Sequence, residues 1–86
     1  MEIELKVSVD RVESILEFLS DIYNEATKRR QDIEAEPRDD YTEEKRKSKR
    51  QELRKLDNIR TECCEQYYYW NSMLQYMKHI EEIRRR

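Results

Sequence analysis

No glycine occurs anywhere in these 86 residues, and that absence restricts the fold more than any motif does. Glycine supplies the positive-φ positions of tight turns, helix ends and bulges, at an average usage of about 7%. A chain without it is poorly suited to a β fold, which needs many such turns. Pro37 is the only proline. Few breakers imply few, long elements, and the expected class is all-α.

Hydrophobic periodicity divides the chain into four parts. Met1, Ile3, Leu5, Val7 and Val9 alternate with polar residues, the period of a half-buried strand. Residues 1–9 are therefore expected to form an extended or strand-like arm. Residues 10–35 should form a first helix, capped by Ser8 or Asp10, with Asp10 and Glu13 at capping-box spacing. Val12, Ile15, Leu16, Leu19, Ile22, Tyr23 and Ala26 recur at steps of three and four, which makes one apolar stripe. Phe18 lies off it. After Ala26 only Ile33 and Ala35 continue the pattern, so the last turns are expected to be a solvated extension.

Residues 36–40, Glu-Pro-Arg-Asp-Asp, form the one clear break. A second helix is expected over 41–84, with Asp40 and Glu43 again at capping-box spacing. Its first turns are polar; then Leu53, Leu56, Ile59, Cys63, Tyr67, Trp70, Met73, Leu74, Met77, Ile80 and Ile83 run as a stripe. Leu56, Cys63, Trp70 and Met77 are spaced by sevens, as in a coiled coil or bundle. The architecture expected is an antiparallel helical hairpin with a long second helix.

Length then suggests a partner. At 1.5 Å per residue the helices measure about 39 and 65 Å. Folding the chain back at residue 38 sets Val12 opposite residue 64 or so, and leaves the stripe over 67–83 overhanging by about 25 Å. An apolar overhang of that size exceeds what monomers normally expose. Two copies are therefore expected to associate into a helical bundle or coiled coil, a homodimer joined through Tyr67, Tyr68, Tyr69, Trp70, Met73, Leu74, Met77 and Ile80. Four consecutive aromatics cannot all face one core. Tyr67 and Trp70 read as core, whereas Tyr68 and Tyr69 are of the residue types that dominate binding hot spots.

The net charge of −2 conceals an asymmetry: residues 1–44 carry fourteen acids and six bases, residues 45–86 six acids and twelve bases. Lys45, Arg46, Lys47, Lys49, Arg50, Arg54 and Lys55 form a basic run. It reads either as a phosphate-contacting helix or as a solvated face opposite the acidic half of the hairpin. Glu13, Glu17, Asp21 and Glu25 form an i,i+4 ladder, in which like charges repel and cations opposite would help. A row of carboxylates could also imitate a phosphate backbone and block a nucleic-acid-binding protein.

Nothing in the sequence suggests catalysis. His79 with Glu82 falls short of the three or four ligands a zinc site requires. Cys63 lies on the stripe as a small hydrophobe, and no histidine is near Cys64 to activate it. Their adjacency would strain a disulfide. Neither a phosphate-cradling glycine loop nor any cofactor or metal site is expected. With no span of about 18 apolar residues and no signal sequence, a cytoplasmic, non-enzymatic protein is expected. The function expected is protein binding: an adaptor, regulator or inhibitor of a larger assembly, with nucleic-acid binding through residues 45–55 as the alternative.

Overall fold

A computed structural model of the chain describes residues 8–37 and 41–85, and among them it contains two helices and no strand. Helix α1 spans Val9–Ala35 and α2 spans Glu43–Arg84. They pack antiparallel as a hairpin. The rod they form measures 66 × 23 × 14 Å between Cα extremes.

Local chemistry accounts for the helix ends. Ser8 is in the extended region and its Oγ accepts from the backbone N–H of Arg11 at 3.3 Å. This satisfies one of the four donors that a helix start leaves unpaired. Of the two expected caps, Ser8 is the one used. Asp10 sits inside the first turn, where its charge complements the helix dipole. Val9 is already helical and packs on the core, so the arm loses its last residue. The remaining alternating residues, 1–7, lie outside the described residues.

At the other end of α1, Glu36 adopts φ −65° and ψ 136°, because the Pro37 ring disfavours helical geometry in the residue before it. Helix α2 starts two residues later than expected. Thr42 is its cap, accepting from the N–H of Lys45 at 3.2 Å, and Glu43 and Glu44 occupy the dipole-favoured first turn. The Asp40 half of the expected capping box lies outside the described residues. No break occurs at Asp57-Asn58.

The stripes face each other. Val12, Leu16 and Leu74 are buried together, with Val9, Trp70 and Met77 partly buried against them. Ala26, Ile33 and Cys63 are the other buried residues. All four members of the heptad seam, from Leu56 to Met77, lie on the shielded side of α2.

The register differs from the expected one by about ten residues. Val12 meets Leu74, not residue 64, and Glu13 meets Lys78. The difference lies at the loop end. The first turns of α2 run past the end of α1 and are tied to it by side chains. The Tyr41 hydroxyl donates to Glu36, and Lys49 Nζ reaches Glu36 at 3.3 Å. The amine of Lys45 lies 4.7 Å from the Tyr41 ring centroid.

Two expectations fall with that shift. Only about seven residues of α2, some 10 Å, extend past the start of α1; the 25 Å overhang does not exist. Nor are the last turns of α1 a solvated extension. Ile33 is buried, Arg29 bonds Glu52 at 2.9 Å and Arg30 bonds Asp57 at 2.8 Å.

Candidate interaction surface

Two helices shield each other along one line only, and each keeps two flanks. On one flank, Leu19, Ser20 and Tyr23 of α1 stand across from Cys63, Cys64, Tyr67, Tyr68 and Asn71 of α2, enclosing a groove of about 330 Å³. Its rim is fixed by Arg60, whose Nη2 donates to the Tyr23 hydroxyl at 3.2 Å. The guanidinium carbon sits 5.1 Å from the Tyr23 ring centroid. That hydrogen bond is the main cause of a raised Arg60 pKa. Tyr68 leans out at the edge, 78% exposed.

The helical repeat of about 100° per residue sends another set to the opposite flank: Ile15, Phe18 and Ile22 from α1, Ile59, Tyr69, Met73, Tyr76 and Ile80 from α2. Phe18 and Tyr76 are each 63% exposed, and Ile59 and Tyr69 are also exposed; the other four are half-buried. This apolar flank is roughly 30 Å long, more than singly scattered apolar residues would give.

The eight expected interface residues are thus divided among three environments. Leu74 is core, and Trp70 and Met77 are committed to it within the chain. Tyr67 and Tyr68 belong to the groove. Tyr69, Met73 and Ile80 belong to the opposite flank. Tyr69 meets Trp70 edge to face, with centroids 5.4 Å apart and planes at 83°. Phe18 and Tyr76 are exposed on this flank but lie outside the expected interface set, although Tyr69, Met73, Tyr76, Ile80 and Ile83 are themselves spaced by three and four, a second stripe beside the first.

Comparison with known proteins assigns no family. No family model, curated protein or solved structure matches the chain.

Charge is arranged otherwise than expected. The register places the acidic ladder opposite the C-terminal half of α2, not opposite the basic run. Glu13 pairs with Lys78 at 3.7 Å, while Glu17, Asp21 and Glu25 are exposed. Each i,i+4 step advances about 40° around the helix, so the ladder winds through about 120° from Glu13 to Glu25 and does not form a straight row. In the basic run, Lys49 pairs with Glu36 and Lys45 lies over Tyr41. Arg46, Lys47, Arg50, Arg54 and Lys55 are exposed, with no ion-pair partner among the described residues.

Both cysteines are free. Burial is the main cause pushing the Cys63 thiol up, and Cys64 and Glu62 add to it. Cys63 therefore stays protonated and packs as a hydrophobe, whereas Cys64 is exposed at the groove. Among the described residues, no group of histidine, cysteine and carboxylate side chains is placed to hold a metal ion, and no helix is long and apolar enough to cross a membrane.

Proposed function

We propose that this chain is a protein–protein interaction module, an adaptor, regulator or inhibitor of a larger assembly that works through the faces of a helical hairpin. The observation carrying this reading is the tyrosine-edged groove. Tyr67 and Tyr68 present large, rigid, amphipathic area at small entropic cost, above a cleft walled by Leu19 and Cys63 and lipped by Ser20 and Asn71. An apolar side chain of another protein would pack between Leu19 and Tyr67, with hydrogen bonds made at the lip. Tyrosine in such a setting is a frequent hot spot.

The test is affinity capture with purified chain from its native cell, beside a Tyr67→Ala/Tyr68→Ala variant of matched helical content. A protein retained by the native chain and lost from the variant is the expected outcome. Equal retention by both would remove the groove from the reading.

A second reading has one observation in its favour. Arg46, Lys47, Arg50, Arg54 and Lys55 lack the acidic counterpart that would make them an internal face, and a stretch of free cations is what a phosphate backbone attracts. Binding to duplex DNA or RNA at about 50 mM salt, steeply weakened by added salt and abolished by Arg46→Glu/Arg50→Glu/Arg54→Glu, is the outcome this reading requires.

A further inference from the structure

We infer that a second copy of this chain covers the flank bearing Phe18, Ile22, Tyr69, Met73, Tyr76 and Ile80, about a two-fold axis near Phe18 and Tyr69. The product is a four-helix bundle with the tyrosine groove on its outside. This inference concerns the flank opposite the groove and stands or falls apart from the proposed function.

Surface area is the first argument. A compact monomer of 10.8 kDa exposes about 5,500 Å², and this chain exposes 7730 Å². The surplus of roughly 2,000 Å² is of the size that one subunit buries in an obligate dimer, and well above the ~800 Å² per partner of a standard interface. Only six described side chains are buried apolar ones, and Val12 alone is fully so. A hairpin is a single layer, and domains are built from two or three packed layers. A copy of the same hairpin supplies the missing layer with a matching apolar strip. Two-fold symmetry requires such a face to be complementary to itself. This one qualifies, since its ring-bearing centre can meet its own image.

The test uses the purified full-length chain alone. Sedimentation equilibrium from about 1 to 100 µM should give a mass of twice 10.8 kDa. Phe18→Lys/Tyr76→Lys should weaken the dimer at least 100-fold, whereas Tyr68→Ala should leave it intact. A monomer at 100 µM would overturn the inference and leave the flank to residues 1–7 or a foreign partner. Dissociation by Tyr68→Ala with no effect of Phe18→Lys/Tyr76→Lys would overturn the face.

Discussion

Individual side chains in this protein differ sharply in what they contribute, because so few are buried. Leu74 is 5% exposed and packs with Val12 and Leu16, while Tyr68, six residues earlier on the same helix, is 78% exposed. Truncating a buried leucine costs its transfer free energy plus that of the cavity left behind. Leu74→Ala should therefore lower stability by about 2–4 kcal/mol, and Tyr68→Ala by less than about 0.5 kcal/mol. Urea unfolding followed by the fluorescence of Trp70, the only tryptophan, measures both. Equal costs would mean that the core is not where Val12, Leu16 and Leu74 meet. The two positions lie about 240° apart around α2, which sets Leu74 toward α1 and Tyr68 away from it.

At the scale of elements, two helices are joined by a connection held by side chains. Glu36 ties it together, accepting from the Tyr41 hydroxyl and pairing with Lys49. The Tyr41 hydrogen bond, then the one from Lys49, holds the Glu36 carboxyl below its ordinary value of 4.5. A carboxyl with a lowered folded-state pKa stabilises the fold fully above the ordinary value, and that contribution is lost as the pH falls through the lowered one. Native chain should therefore exceed Glu36→Gln in urea midpoint at neutral pH. The gap should shrink as the pH falls below 4.5 and close once it has fallen through the lowered value, where both side chains are neutral. A pH-independent gap would show that the Glu36 charge is not what matters. The first turns of α2 run past the end of α1 and hold the basic run away from the acidic ladder, so the expected pairing of the two does not form among the described residues.

For the molecule as a whole, the outcome is a thin rod with two dissimilar flanks, one grooved and edged by tyrosine, the other apolar. A rod joined to a second copy should become more stable with concentration, because association is coupled to folding. The melting temperature should rise by roughly 5–8 °C over a hundredfold increase in concentration if the bundle has about twice the chain's length in ordered residues. Thermal melts by circular dichroism at 1 and 100 µM decide this. A constant melting temperature would describe an isolated hairpin.

The sequence by itself determined the elements. The lack of glycine, the proline after Glu36, the cap at Ser8, and apolar residues at steps of three and four all act within a few residues of chain, so two long helices and their inward stripes were legible within a residue or two. Run length and composition also singled out residues 67–70 as exceptional. What only the tertiary structure decided was the axial offset between the helices, and with it which aromatics became core, groove or flank. Periodicity states the direction in which a side chain points from its own helix axis. It carries no information about how far a neighbouring helix slides along that axis, and here the slide set Val12 beside Leu74 and Glu36 beside Lys49.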